Sequence, residues 1–271
     1  MLRIFIQGLE FLFVISAFIA VSLFNRLRTR DLVKRRHLYS KTACWAAQKC
    51  LNIIHFKINY INSPDPKKTY LFVGNHLGII EILIIAAHRE CLFITSQDMR
   101  RTPGLGFLTE MAGCLYVDRQ NRSNIKSEIV EIREALEQGF NVVLYPEGTS
   151  TNGERVLPFK KTLMTSAAGT GVPIMPMVVN FRKVNGEPMG HKFRNDVTWY
   201  GDHSFASVLV NLLALKSIEV DFEFCEEVMV HNEEERRTVA AVVQTAVTSK
   251  YTKIPLPPGE LSPYAHIPES H

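Results

Sequence analysis

Short apolar runs separated by polar or glycine-containing stretches indicate the strands of this chain. Residues 69–74 and 141–145 form two such runs and residues 172–181 form a longer one, so all three predict buried strands. Residues 218–224 instead alternate strictly between apolar and polar side chains. This alternation predicts a strand with one buried face and one solvated face.

Helical periodicity occupies the stretches between these strands. Residues 124–138 place isoleucine and leucine at helical spacing before a stop at Gly139. Asn232, with Glu235 three residues later, forms a capping pair that predicts a helix through about residue 250. Residues 205–216 predict a further apolar helix, either in the core or in contact with a membrane. Strands that alternate with helices predict an α/β fold.

The first segment of the chain is apolar enough to be a membrane helix. Residues 4–24 hold only Gln7 and Glu10 as strongly polar side chains, and a helix of this length just crosses a hydrocarbon core of about 30 Å. Residues 25–36 then carry six Lys and Arg against the single acid Asp31. Positive charge beside a span marks its cytoplasmic side and attracts anionic lipid head groups, so we expect the rest of the chain at the cytoplasmic face of a membrane.

Three interpretations of this segment remain open. We favour a single span over a helix lying in the interface and over a cleaved signal peptide, because the basic run that follows is typical of a stop-transfer signal. The chain then divides into a membrane-anchoring segment at residues 1–36, a globular domain at 41–253 and a tail at 254–271. The tail holds five of the 13 prolines and is predicted to be an extended arm.

Composition excludes several classes of protein. With 46% hydrophobic and 21% charged residues, the chain has enough apolar material for a core and is not largely disordered. The net charge of +4 is too small for its length to indicate a nucleic-acid partner. Five cysteines without a C-x-x-C pair argue against a disulfide framework and against a cysteine zinc site.

One histidine follows a predicted strand with a carboxylate nearby. His76 comes just after the strand at 69–74, and Glu81 lies five residues on, with Asn75 and Gly78 in the intervening loop. With His76 on the loop and Glu81 in the first turn of a following helix, the carboxylate could fix the histidine tautomer, so that the other ring nitrogen takes a proton. An ordinary loop histidine and a helix-start glutamate explain the same pattern equally well.

Two later segments have the same character. Residues 113–119 end an apolar strand in an Asp-Arg pair, and residues 145–153 form a turn-rich loop directly after a buried strand. Open α/β sheets bind their ligands at the carboxyl ends of strands. Taken singly, Arg119 has the simpler explanation of a surface salt bridge, and Glu147 could merely close a turn.

Taken in order, these segments resemble the lysophosphatidate acyltransferase (PlsC-like) family. That family shows N-H-x-x-x-x-D, G-x-x-x-x-x-R, F-P-E-G-T and V-P-I-x-P. The matching residues here are Asn75, His76 and Glu81; Gly113 and Arg119; 145–149; and 172–176. The resemblance covers roughly residues 41–250 and implies a mixed, mostly parallel central sheet flanked by helices, preceded by the N-terminal membrane helix. Glu81 stands where the family has Asp, and Ser150 begins a stretch where many members have Arg.

The resemblance implies a reaction. A fatty acyl group passes from acyl-CoA or acyl-carrier protein to the free hydroxyl of a lyso-glycerolipid. The favoured acceptor is 1-acyl-sn-glycerol-3-phosphate, which gives phosphatidate, and the alternatives are a lysophospholipid or a lyso-ornithine lipid. Neither a cofactor nor a metal is expected, since a thioester is already activated. The expected partners are membrane lipids, the lyso-lipid acceptor and the acyl donor, with no nucleic acid.

The resemblance also assigns roles to residues. His76 is the expected general base, and Glu81 holds it and stabilises the imidazolium that forms. The residues expected to bind substrate are Asn75 at the thioester carbonyl, and Arg119, Glu147, Gly148, Thr149 and Lys160 at the acceptor head group. Asn75 could instead merely end the strand, and a solvated basic pair is the simpler explanation of Lys160 and Lys161. Because Glu147 cannot bind phosphate directly, it is expected to order Arg119 or a head-group hydroxyl.

Two functions from other classes are alternatives to acyl transfer. A membrane-tethered lipid-binding protein whose active site has decayed would account for the change from Asp to Glu81. A thioesterase would use the same His76–Glu81 pair on water, which would leave the segments expected to bind a phosphate without a use.

Overall fold

A mixed sheet forms the centre of the molecule. The computed structural model describes residues 2–119 and 121–267, and over these ranges the sheet has eight strands. They are β1 (Phe56–Ile61), β2 (Leu71–Gly74), β3 (Cys91–Ser96), β4 (Leu115–Val117), β5 (Asn141–Leu144), β6 (Ile174–Val184), β7 (Glu187–Pro188) and β8 (Ile218–Phe224). Their order is β1-β8-β6-β2-β5-β3-β4, and β7 pairs with β6.

Helices pack on this sheet and precede it. They are α1 (Leu2–Arg28), α2 (Leu32–Ile53), α3 (Ile80–His88), α4 (Gln97–Arg101), α5 (Leu105–Met111), α6 (Ile125–Glu137), α7 (Arg194–Val197), α8 (Phe205–Ala214) and α9 (Arg236–Lys250). Short 3₁₀ turns lie at Arg122–Asn124, Leu163–Ala167, His191–Phe193 and Glu233–Glu235. The predicted α/β fold, with a mostly parallel sheet and an N-terminal apolar helix, is confirmed.

Parallel pairing brings several strand ends to one edge of the sheet. β2 pairs in parallel with β5 and β6, β5 pairs in parallel with β3, and β3 with β4. Only β8 and the short β7 pair antiparallel with β6 among the described strands. The segments after β2, β4 and β5, which hold the candidate residues from the sequence, therefore leave the sheet on the same side.

The predicted elements match the observed ones closely. The run at 69–74 becomes Leu71–Gly74, and the run at 172–181 becomes the longer Ile174–Val184. β8 has the predicted bounds and alternates buried and partly exposed side chains along its whole length. Asn232 caps its helix through the backbone N–H groups of Glu234 and Glu235, as the capping pair predicts.

α1 packs along the domain while exposing an apolar face. It is the one helix of the described residues that is long and apolar enough to cross a membrane, and an 18-residue window within it has a mean hydropathy of 2.3. Its buried face includes Gln7, whose amide donates to Ile53 O at 2.7 Å, and Phe18, which packs against α2. Its exposed apolar side chains include Leu2, Phe5, Ile6, Leu9, Leu12, Phe13, Val21, Leu23, Phe24 and Leu27.

The proline-rich tail returns to the domain, which differs from the extended arm that its composition predicts. Residues 254–267 contain no helix or strand. Ile254 is only 3% exposed, and Arg155 donates hydrogen bonds to the backbone oxygens of Tyr264 and Ile267. Prolines prevent regular pairing but leave carbonyl groups free to accept bonds from the domain. Residues 268–271 of the predicted arm lie outside the described residues.

Candidate active site

β2 ends by bringing His76 to the carboxyl edge of the sheet. Asn75, the first residue after β2, is buried against the neighbouring strand β6. Its side chain accepts a hydrogen bond from Val179 N at 3.1 Å and donates one to Val179 O at 3.4 Å. His76 is then the first residue of this segment that lines the cavity described below. Asn75 thus fixes where the strand stops.

His76 and Glu81 form a short, largely buried pair. His76 Nδ1 lies 2.6 Å from Glu81 Oε1, and the same oxygen accepts hydrogen bonds from Leu77 N and Gly78 N, both at 2.7 Å. Glu81 sits in the first turn of α3, so its carboxylate reaches back over the preceding loop. The His76 side chain is 18% exposed and that of Glu81 only 1%. A carboxylate at Nδ1 selects the tautomer that leaves Nε2 free to take a proton.

Gly78 permits the tight loop between these two residues. Its φ of +149° is a conformation that side-chain-bearing residues rarely adopt. A Cβ at this position would also lie 2.8 Å from the backbone nitrogen of Trp199, which donates to Leu77 O at 2.8 Å. The loop is therefore held closely against the segment that carries Trp199.

Glu147 supports the backbone of His76. Its Oε1 accepts a hydrogen bond from His76 N at 2.6 Å, and its Oε2 accepts one from Leu157 N at 2.7 Å. Burial raises the pKa of Glu147 to about 8, although these two N–H groups oppose the shift; the charge of Glu81 adds to it. The expectation that Glu147 orders Arg119 or a head-group hydroxyl is not met. Both of its oxygens are engaged by backbone N–H groups, so it positions the loop of His76.

An apolar cavity of about 660 Å³ opens beside His76. The ring of Tyr145, the residue after β5, stacks on the His76 imidazole with centroids 4.5 Å apart and planes inclined by 11°. Further walls come from α1, α2, α3 and α5. Representative lining side chains are Phe11, Ile15, Phe18, Ala43, Ala46, Ile79, Leu83, Phe93, Leu105 and Leu108. A cavity of this size and character suits an extended hydrocarbon chain.

Polar residues share the lining of the same cavity. Arg119 follows β4 in a turn that is held by a 2.6 Å bond from Asp118 N to Glu128 of α6. Thr149 lines the cavity after β5, and Asp202 and His203 line it from the loop before α8. The structure thus brings His76, Arg119 and Thr149 to one cavity, as the order of the motifs implies. It adds Asp202, an acidic residue of the same lining.

Besides Glu147, three further predicted substrate contacts lie outside the cavity lining. Asn75 and Gly148 are not among the residues that line the cavity, and neither is Lys160. Asn75 is occupied with β6, as described above. The Lys160 ammonium lies directly over Gly148, and Lys160 N donates to Pro146 O at 2.9 Å. Lys160 therefore packs on the loop after β5, because the chain reverses between residues 148 and 160.

Sequence reasoning missed two walls of the cavity. One is the loop at 199–203, which is braced by a 2.6 Å bond from Trp199 Nε1 to His203 O. Its Trp-Tyr-Gly-Asp sequence resembles a segment of the family, and this signal was not used to place the loop at the site. The other is α1, whose helical pattern gave no sign that Phe11, Ile15 and Phe18 face a site. The described residues contain no group of three or more His, Cys, Asp or Glu that could hold a metal ion.

Comparison with protein families and relatives agrees with this geometry. The family model described as Acyltransferase matches residues 54–180, which include His76, Glu81, Arg119 and Glu147. The lyso-ornithine lipid O-acyltransferase of Pseudomonas aeruginosa is 30% identical over 77% of this chain and 76% of its own length. The protein of the same name from Brucella abortus is 28% identical over 86% of this chain and 91% of its own length.

Other relatives carry a different name. The 1-acyl-sn-glycerol-3-phosphate acyltransferase of Neisseria gonorrhoeae is 25% identical over 60% of this chain and 61% of its own length. The crystal structure of the 1-acyl-sn-glycerophosphate acyltransferase PlsC from Thermotoga maritima superposes with a TM-score of 0.60. It is 21% identical and covers 92% of this chain and 96% of its own, which shows a shared fold.

Proposed function

The chain belongs to the acyltransferase family and is an O-acyltransferase of the lysophospholipid type; from this premise we propose that His76 and Glu81 catalyse the transfer. The observation that carries the proposal is the His76–Glu81 pair beside an apolar cavity. A general base next to a hydrocarbon-sized space suits a reaction between an acyl chain and a lipid hydroxyl.

The transfer balances with these two side chains alone. Nε2 of His76 takes the proton of the acceptor hydroxyl as its oxygen attacks the thioester carbonyl. The new C–O ester bond forms and the C–S bond breaks, after which the proton on His76 passes to the departing thiolate. Glu81 stabilises the imidazolium in between, through its 2.6 Å contact with Nδ1. The thioester brings its own activation, so neither a metal nor a cofactor enters the proposed steps.

For the acceptor, we favour a lyso-lipid with a zwitterionic head group, and first a lyso-ornithine lipid. An ornithine head group carries a carboxylate and an ammonium, and the cavity lining offers Arg119 for the first and Asp202 for the second. The dianionic phosphate of lysophosphatidate would gain less from a site that includes Asp202. The relatives named for lyso-ornithine lipids also span more of this chain than the Neisseria relative.

The second candidate acceptor is 1-acyl-sn-glycerol-3-phosphate. The Neisseria relative is named for it, and Arg119 suits a phosphate through its bidentate donors. The six basic residues of the 25–36 segment come before α2 or at its start, where an anionic lipid surface would attract them: Arg26, Arg28, Arg30, Lys34, Arg35 and Arg36. These charges favour a membrane surface without selecting the head group.

The membrane association follows from α1, and its finer details are part of the proposal. Since one face of α1 packs on the domain and the other is apolar and exposed, the helix fits an interfacial position beside the cavity, with the lipid on its exposed side. The basic residues that follow favour the cytoplasmic face. The donor is acyl-CoA or acyl-carrier protein, which both present a thioester.

An acceptor panel tests the proposal. Purified protein in detergent receives labelled palmitoyl-CoA with lyso-ornithine lipid, lysophosphatidate, lysophosphatidylethanolamine or buffer, beside His76→Ala and Asp202→Asn. We expect transfer to lyso-ornithine lipid that His76→Ala abolishes and Asp202→Asn weakens. Preferred transfer to lysophosphatidate would overturn the choice of acceptor. Fatty acid released equally in buffer would favour a thioesterase, and no transfer from CoA or carrier-protein donors would favour a decayed site.

A further inference from the structure

The C-terminal tail contacts two segments that line or border the active site. The first is the loop at 151–155, which follows Thr149 and Ser150 of the cavity lining. The second begins at Arg194 in α7 and leads to Trp199 of the cavity wall. Neither contact belongs to the motifs by which the family was recognised, and the catalytic steps above do not use the tail.

The tail holds the 151–155 loop through several bonds. Ile254 N donates to Gly153 O at 2.8 Å, and the Ile254 side chain packs so closely that a Cβ on Gly153 would lie 2.5 Å from it. Gly153 also has a φ of +82°, which favours glycine. Asn152 N donates to the Tyr264 hydroxyl at 3.3 Å, and Ser262 bonds to the Glu154 carboxylate.

The tail holds the second segment through one ion pair, between a buried arginine and an exposed glutamate. Arg194 is 3% exposed, and its Nη2 donates to Glu260 Oε1 at 2.6 Å. Arg194 O in turn accepts hydrogen bonds from Thr198 N at 2.9 Å and from the Thr198 hydroxyl at 2.7 Å. The next residue, Trp199, lines the cavity. The free-energy cost of burying a guanidinium to this degree is offset by its carboxylate partner, so removing the carboxylate destabilises this segment.

Both segments bond directly to the backbone of the catalytic loop. Thr151 N donates to His76 O at 2.9 Å, and Trp199 N donates to Leu77 O at 2.8 Å. The carbonyl groups of His76 and Leu77 are thus each held by a segment that the tail fixes. The N–H side of the same loop is held by Glu147 and Glu81.

We propose that the tail at 254–267 is a strap whose residues Glu260 and Tyr264 position the acceptor side of the active site. They act through the 151–155 loop and through Arg194, and they touch neither the reacting atoms nor the apolar walls formed by α1 and α2. This inference rests on the proposed function for its kinetic readout. Its structural readout does not depend on which acceptor the protein uses.

The kinetic test uses point variants of the full chain. Glu260→Ala removes the partner of Arg194, Glu260→Gln keeps a hydrogen-bond acceptor, and Tyr264→Phe removes only the bond to Asn152 N. Leu261→Ala is the matched control, since Leu261 lies in the same tail and is 88% exposed. Initial rates are measured against acceptor and against palmitoyl-CoA, well below the Tm of each variant.

We expect Glu260→Ala to raise the KM for the acceptor about tenfold, or about 1.4 kcal/mol, while the KM for palmitoyl-CoA stays within about twofold. Glu260→Gln and Tyr264→Phe should show smaller increases, and Leu261→Ala none. A lower Tm with both KM values unchanged would make the tail merely stabilising and overturn the proposal. An equal rise in both KM values would overturn it as well.

Hydrogen–deuterium exchange supplies the readout that needs no substrate. The peptide that covers Trp199 in Glu260→Ala, and the peptide that covers Thr151 in Tyr264→Phe, should exchange at least about tenfold faster than in the unchanged protein, while β2 and β5 keep their protection. Unchanged exchange at both amides would refute the strap. If the unchanged protein transfers no acyl group, the proposed function fails, and exchange alone then decides on the strap.

Discussion

Glu81 is the most informative position at which to perturb the catalytic pair. Its Oε1 is shared by three donors, namely His76 Nδ1, Leu77 N and Gly78 N, all within 2.7 Å. Changes at this position therefore act on the tautomer of His76 and on the shape of the loop together. Three replacements separate the two effects. Asp keeps the negative charge, Gln keeps an accepting oxygen without the charge, and Ala keeps neither.

The contacts of Glu81 set how much catalytic rate and stability each replacement loses. Glu81→Gln keeps an accepting oxygen but loses the charge that stabilises the imidazolium, and a hydrogen bond to a charged group contributes about 1.5–3 kcal/mol. We expect kcat to fall by about a hundredfold, with little change in Tm. Glu81→Ala also leaves two backbone N–H groups without their acceptor, at about 1–3 kcal/mol each, so its Tm should fall as well.

Glu81→Asp restores the carboxylate found in the family motif, yet this loop is built around the longer side chain. Removing one methylene withdraws the carboxylate by about 1.5 Å. The three contacts then exceed hydrogen-bond length unless the loop closes. We expect about a tenfold loss of kcat, so the kcat of Glu81→Asp should lie between that of the unchanged protein and that of Glu81→Gln.

The assay is the initial rate of palmitoyl transfer at saturating acceptor and donor. Glu90→Gln serves as the control, because Glu90 is an exposed carboxylate just beyond the other end of α3. Equal kcat values for Glu, Gln and Ala at this position would refute the role of Glu81. A loss of kcat that merely follows the loss of Tm would refute it too.

Three further predictions concern Glu147, Gly78 and the cavity wall. Because the pKa of Glu147 is raised from 4.5 to about 8, the folded state binds an extra proton between these values, so stability should fall as pH rises from 4.5 to 8. Urea unfolding should show this slope, and Glu147→Gln should flatten it; parallel pH profiles would contradict the reasoning. Gly78→Ala should cost more than about 2 kcal/mol of stability, since both its φ and Trp199 exclude a Cβ; an unchanged Tm would count against this. Ala43→Phe should lower kcat/KM for palmitoyl-CoA more than for lauroyl-CoA by narrowing the cavity, and an unchanged ratio would place the acyl chain elsewhere.

Local patterns predicted the parts of this molecule that depend on neighbouring residues. β8 alternates because one face is buried, and that period of two is visible in the sequence itself. The His76–Glu81 pair could also be anticipated, since both residues belong to one strand–loop–helix unit. The backbone N–H groups that donate to Glu81 could not be anticipated, because the loop conformation around Gly78 depends on Trp199, far along the chain.

Contacts between distant segments escaped prediction. The tail was expected to extend from the domain, whereas Tyr264 and Glu260 meet Asn152 and Arg194 across long stretches of sequence. Arg3 likewise donates to Ala214 O, which ties the start of α1 to the end of α8. No periodicity records such pairings, because they depend on the topology of the whole sheet.

The central claim is that His76 takes the proton of a lipid hydroxyl during acyl transfer. Single-turnover transfer from labelled palmitoyl-CoA to lyso-ornithine lipid, compared between the unchanged protein and His76→Gln at equal Tm, tests it most directly. The account predicts a rate at least about a thousandfold lower in the variant, within the range that general-base catalysis contributes. Transfer by His76→Gln within about tenfold of the unchanged protein would contradict it.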